Sequence, residues 1–229
     1  MRLFTLIIMS AFILTSCSNN ENLFPGVEKT NSLKSYKVKR DASGAYSIEY
    51  DLEKNRISQK SINSETNAKE FYLYQSNFAK NKTESEDLSI EAHKLSISFL
   101  DGITHSESNI IIEDDPISFA KTNSNAAKML SEYTVSKNED NTFHLDFKVI
   151  DEVSVDFVYN QELDIYEIHL EEGDSNGNDF SRNFEKSEGD TLRIDFVNHT
   201  KETSAKGSGY SGSFERKPRI IIVHNVAAI

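Results

Sequence analysis

Apolar and polar residues alternate along much of this chain. Tyr46, Ile48, Tyr50 and Leu52 form one alternating run, Leu95, Ile97 and Phe99 a second, and Phe143, Leu145, Phe147 and Val149 a third. Successive side chains of an extended strand point to opposite faces, so alternation marks a strand with one buried face. Shorter apolar runs predict strands at Phe71–Tyr74, Leu88–Ala92, Ile110–Ile112, Leu192–Phe196 and Arg219–His224, the last apolar enough to be central. Helical spacing is confined to Asn125–Val135, where Ala126, Met129, Leu130 and Tyr133 follow the cap residue Ser124, and to a weaker stretch over Ile57–Lys69. The class predicted is mainly β, an antiparallel sandwich or barrel with one or two short helices. Nine glycines are few for many tight turns, which leaves α+β as the alternative. No repeat of fixed period stands out.

Phe143–Leu170 reads as a meander of three strands broken at Asp151-Glu152 and Gln161-Glu162. Pairing Phe157 with Tyr166, Val155 with Ile168 and Val153 with Leu170 keeps the apolar side chains together. Asp156 would then oppose Glu167, and Asp146 would oppose Asp156, with His144, Ser154 and His169 nearby. Facing carboxylates repel, so such a row is splayed into water or holds a cation, which makes Asp146, Asp156 and Glu167 the candidate calcium ligands. The same carboxylates with His169 are the one arrangement suggestive of acid-base hydrolysis. Asp174–Asp179 imitates a calcium loop but lacks Gly at the sixth position, and Asn176-Gly177 suits a hairpin turn.

Composition narrows the partners. With 25 Lys+Arg against 37 Asp+Glu, the formal charge of −12 argues against binding nucleic acid, which requires a basic stripe. Among 229 residues, 37% hydrophobic content supports one ordinary core. Gly-x-Ser-x-Gly and His-Glu-x-x-His are absent, and no cofactor is expected beyond the calcium alternative. Ser204–Ser213 is a small-residue loop segment. Tyr72, Tyr74 and Tyr210 are the aromatic side chains suited to stacking on a glycan. Asp190-Thr191-Leu192 fits a short O-glycosylation acceptor pattern found in Bacteroidota.

The first residues carry a different signal. Arg2 precedes a run from Leu3 to Leu14 interrupted only by Thr5 and Ser10, too short to span a bilayer and of the anatomy of an export signal. Leu14-Thr15-Ser16-Cys17 resembles the lipobox of bacterial lipoprotein signal peptides. The resemblance implies cleavage before Cys17, acylation of its thiol, and membrane attachment by several chains, since one chain holds weakly. Cys17 is the only cysteine, so no disulfide partner competes for it. Ser18 in place of the Asp that marks inner-membrane retention in the enterobacterial pattern leans toward the outer membrane, and the Asn/Ser-rich start looks like lipoproteins of Bacteroidota. The expected organisation is a signal at 1–16, a lipidated tether at 17–34 and one β-rich ectodomain at 35–229. The expected role is non-catalytic: binding a ligand or a protein or glycan partner, or structural support, at the cell envelope.

Overall fold

The structure, a computed structural model, describes residues 32–77, 83–90, 93–101, 105–114, 129–184, 191–200 and 213–226. The predicted signal, the lipobox with Cys17, all but the last three residues of the tether, Tyr210 and most of Ser204–Ser213 lie outside the described residues. Among the described residues, fourteen strands make up two stacked sheets. The first seven are β1 (Leu33–Arg40), β2 (Tyr46–Leu52), β3 (Arg56–Ile62), β4 (Lys69–Gln75), β5 (Thr83–Leu88), β6 (Lys94–Asp101) and β7 (His105–Glu113). The rest are β8 (Leu130–Lys137), β9 (Phe143–Val149), β10 (Val153–Asn160), β11 (Ile165–Glu172), β12 (Asp179–Phe184), β13 (Thr191–Thr200) and β14 (Ser213–Val226). One sheet has the order β12-β9-β8-β1-β2-β5 and the other β10-β11-β13-β14-β7-β6-β4-β3. Among the described residues each keeps two open edges, so the architecture is a sandwich and not a closed barrel.

That order contains a repeat. Adding seven to each strand number turns β5-β2-β1 into β12-β9-β8 and β3-β4-β6-β7 into β10-β11-β13-β14, so each sheet reads the same from both ends. A shift of 97 positions carries the bulge at Leu33/Ser35 onto that at Leu130/Glu132, and the parallel pair Phe71↔Phe99 onto Ile168↔Phe196. The left-handed turn residues Asn55 and Asn67 fall onto Glu152 and Asp164, and Gly44 onto Asn141. The repeats meet edge to edge about a pseudo-twofold axis, with Val38 facing Val135 in one sheet and Ile111 facing Ile221 in the other. Two cations cross that axis. Arg40 donates to the carbonyl of Ser131 (3.1 Å), and Lys137, only 1% exposed, donates to the corresponding carbonyl of Lys34 (3.2 Å).

The core lies between the sheets and is doubled as well. Tyr36 stacks on Phe99 at 5.9 Å and Tyr133 lies tilted against Phe196 at 5.8 Å, while Tyr50–Phe99 (5.3 Å) is matched by Phe147–Phe196 (5.4 Å). Leu-x-Ile-x-Phe supplies the inner face of both β6 and β13. At one end of this core Arg40 and Tyr46 both donate to buried Asp114, and Tyr133 donates to Tyr46. Burial pushes the hydroxyl pKa values of Tyr46 and Tyr133 up, so both remain donors.

Several sequence expectations change here. Leu130–Val135, expected to be helical, belongs to strand β8. The bulge at Leu130/Glu132 inserts an extra residue, so the buried Leu130 and Tyr133 stand three apart, as on a helix face, before the period of two resumes at Val135; Asn125–Lys128 lie outside the described residues. Ile57–Lys69 is strand β3, a turn and the start of β4, and no helix occurs among the described residues. Of the candidate Leu88–Ala92, Leu88 ends β5, Ser89 and Ile90 follow the strand, and Glu91 and Ala92 lie outside the described residues. Leu33 and Lys34, assigned to the tether, open β1.

Candidate functional site

The expected meander is divided between the sheets: β9 lies in the six-stranded sheet, and β10 and β11 lie in the eight-stranded one. The chain crosses over at Glu152, whose φ of 61° turns it away from β9. Alternation shows which side of a strand is buried but not which sheet it joins, and this is why the expected row of Asp146, Asp156 and Glu167 does not form. The β10–β11 register is also displaced by two residues, so Asp156 stands opposite His169 and Val158 opposite Glu167. A displacement by two preserves the inner face. The Asp174–Asp179 segment is likewise no hairpin turn, because it carries the chain from β11 in one sheet to β12 in the other.

Two polar constellations result. On the outer face of the eight-stranded sheet, His169 Nε2 lies 3.0 Å from Glu167 Oε2 and His169 Nδ1 lies 2.7 Å from His199 Nε2, with the two rings stacked. Glu167 is 9% exposed, more buried than an open sheet face would suggest. Beside them Asp195, 1% exposed, receives a two-pronged contact from Arg219, Nε to Oδ1 at 2.9 Å and Nη2 to Oδ2 at 3.2 Å. That carboxylate raises the Arg219 pKa further. The pair joins β13 to β14 as a cross-strand staple.

The second constellation is on the six-stranded sheet, where His144 and Asp146 on β9 face Asn183 and Ser181 on β12. Ser, His and Asp are thus neighbours, but the connectivity is wrong for a nucleophile relay. Asp146 and Ser181 both approach Nε2, at 2.9 and 3.0 Å, while Nδ1 is held by Asn183. A relay needs the orienting group on one ring nitrogen and the nucleophile on the other. The bond to Asn183 raises the His144 pKa against a smaller burial effect, with Asp146 adding to the rise. For Asp146, burial pushes upward but the contacts with His144 and Ser181 outweigh it, so its pKa is lowered.

On the same face are two shallow grooves related by the pseudo-twofold. One of about 330 Å³ includes Ser35, Tyr36, Lys37, Glu49, Tyr50 and Asp51. The other, of about 350 Å³, includes their counterparts Glu132, Tyr133, Thr134, Asp146, Phe147 and Lys148. The bulges at the start of β1 and of β8 adjoin them, at Ser35 and Glu132. Tyr72 and Tyr74, the proposed glycan platform, lie on the outer face of β4 and stack at 6.4 Å. Tyr72 donates to Glu70, the counterpart of Glu167, at 2.6 Å. Among the described residues no group of three or more His, Cys, Asp or Glu side chains is arranged to hold a metal ion.

Sequence reasoning missed Asp195, Arg219 and His199. The available signal was Asp195 itself, the one carboxylate in the strand segment Leu-Arg-Ile-Asp-Phe-Val, which when buried needs a cation across the ladder. No protein-family description matches the chain, no curated protein resembles it significantly, and no solved structure matches it.

Proposed function

We propose that this protein is a lipoprotein of the bacterial cell envelope, acylated on Cys17 and anchored to the outer membrane. Its sandwich then binds a ligand or a protein or glycan partner, or has a structural role, without catalysis. The observation that carries this reading is the position of the only cysteine at the one place the lipobox requires, directly after an apolar run too short to cross a membrane. The first strand begins at Leu33, so fifteen residues lie between it and Cys17. An acidic body gains nothing electrostatically from anionic lipid, which leaves attachment to the acyl chains.

The non-catalytic half of the proposal is supported by the state of the imidazoles. Asp146 and Ser181 share Nε2 of His144, so no relay from orienting group through base to nucleophile forms there, and the ring nitrogens of His169 face Glu167 and His199, neither a hydroxyl nor a thiol. The competing hydrolase reading, through Asp156, Glu167 and His169, predicts that Glu167→Gln abolishes a turnover.

Mass spectrometry of the mature N-terminus and detergent phase partition test the anchor. A chain beginning at an acylated Cys17 and entering the detergent phase is expected, and Cys17→Ser should move it to the aqueous phase. An unmodified thiol, or Met1 retained, overturns the proposal.

A further inference from the structure

The two ends of the sandwich are built on the same backbone but are not equally protected. At the end of the first repeat, edge strands β3 and β5 turn charges inward. Lys60 reaches across to Glu86 at 2.9 Å, Lys69 joins the same carboxylate, and Glu84 accepts from Tyr50 and Ser58. Inward-pointing charges on an edge disfavour addition of a further strand. At the end of the second repeat the positions of Ser58 and Lys60 are Val155 and Phe157, and Phe180 takes the place of Glu84. Of the five exposed large hydrophobics among the described residues, Val158, Tyr159 and Leu163 lie at this end at 39 to 47% exposure, while Ile57 and Ile62 lie on β3, the edge that carries the inward Lys60.

The backbone of β10 shows where pairing can occur. The side chain of Asn176 binds both the N–H and the C=O of Val155, at 3.0 and 2.8 Å, so these groups point away from β11. Strand alternation turns the same groups of Phe157 and Tyr159 outward as well. Asn176 therefore seals one end of the edge and leaves the two-residue stretch around Val158. The eight-stranded sheet already continues from one repeat to the next through antiparallel pairing of β7 with β14 about a twofold axis.

We propose that the same sheet continues through a second copy of this chain, β10 pairing with β10 about a twofold axis at Val158. Phe157 of one copy then exchanges both backbone hydrogen bonds with Tyr159 of the other. The two Val158 residues face each other in a non-hydrogen-bonded position, with Cα atoms about 4.5 Å apart. The interface is isologous, so it closes at a dimer. Two bodies of charge −12 repel, so the dimer is stronger at high ionic strength.

A Cα separation of about 4.5 Å is within reach of a disulfide. Val158→Cys in the full chain, treated with a mild oxidant, is expected to yield a covalent dimer on a non-reducing gel, and more of it at high salt. Ser61→Cys, the corresponding position of the first repeat, should give less than a tenth as much, with the parent chain setting the background from Cys17. Adding Leu163→Lys, a change at an exposed turn, to Val158→Cys should lower the yield at least fivefold. Equal yields from Val158→Cys and Ser61→Cys, or no dimer from either, overturn the proposal. Cross-linking of Val158→Cys chains to Ser61→Cys chains also overturns it, because that product is a head-to-tail array.

Discussion

Where the first repeat closes the gap between its sheets with ions, the second closes it with rings. Tyr50, Ser58, Lys60, Lys69, Glu84 and Glu86 form a hydrogen-bonded and ion-paired seam in one. In the other, Phe147 packs against Phe157 (6.0 Å) and Phe180 (5.1 Å), and the Arg182 guanidinium lies over Phe157 at 4.6 Å. The backbone pairing is equivalent, so the register does not depend on which chemistry fills the seam. The inner rows that both repeats share fix it: Leu95, Ile97 and Phe99 in one, Leu192, Ile194 and Phe196 in the other. The seam is free to diverge, and its chemistry then decides how each end responds to salt, acid and contact with other chains.

The largest expected effect is on the aromatic side. Phe147→Ala removes a ring that is 2% exposed and in contact with three others, and should cost about 3–5 kcal/mol in urea unfolding, independent of salt. On the ionic side Glu86→Gln should cost about 1–3 kcal/mol, since it leaves two partly buried ammonium groups without their partner. Burial pushes the Glu86 pKa up, but Lys69 and Lys60 outweigh this and hold it below its ordinary value of 4.5. A lowered carboxylate stabilises the fold above its unfolded pKa and loses that contribution as pH falls through the folded one. The difference between parent and Glu86→Gln should therefore be full above pH 4.5 and shrink below it. A difference that is flat with pH would mean that the seam is held by packing alone.

Asn176→Ala tests the seal on β10 and should cost about 1 kcal/mol by thermal unfolding. The smallest effect belongs to the exposed face. His144→Ala should change stability by at most about 0.5 kcal/mol. The bond to Asn183 holds the His144 pKa above its ordinary 6.5, so its small contribution is present below pH 6.5 and fades as pH rises through the folded value. A larger loss would mean that the His144–Asp146 pair is more than a surface contact.

Much of the sandwich was legible because most inner-facing strands alternate cleanly. The repeat was also written in the chain, in Leu33, Tyr36 and Val38 against Leu130, Tyr133 and Val135 and in Leu-x-Ile-x-Phe twice. It is faint because the matching positions are few and spaced by strand geometry, while edge strands as different as Thr-Glu-Ser-Glu-Asp-Leu and Asp-Phe-Ser-Arg-Asn-Phe separate them. Both bulges hid a strand by breaking the period of two. Site prediction suffered for a related reason. Asp146, Asp156 and Glu167 share a face only if successive strands are neighbours, and the crossover at Glu152 separates the first from the others. Asp156 and Glu167 do come close to His169, because parity survives a displacement by two.

The twofold junction also governs how the molecule must be made. Until β8 and β14 have been synthesised, β1 and β7 are each bare along one side, and their partners lie about a hundred residues downstream. A nascent or truncated chain ending near Glu113 would have two unsatisfied ladders, each geometrically suited to capture another unfinished molecule. Loop closure over such distances is slow. Holding the chain extended until its last strand is available, as a translocation chaperone does, would keep half-built molecules from joining one another.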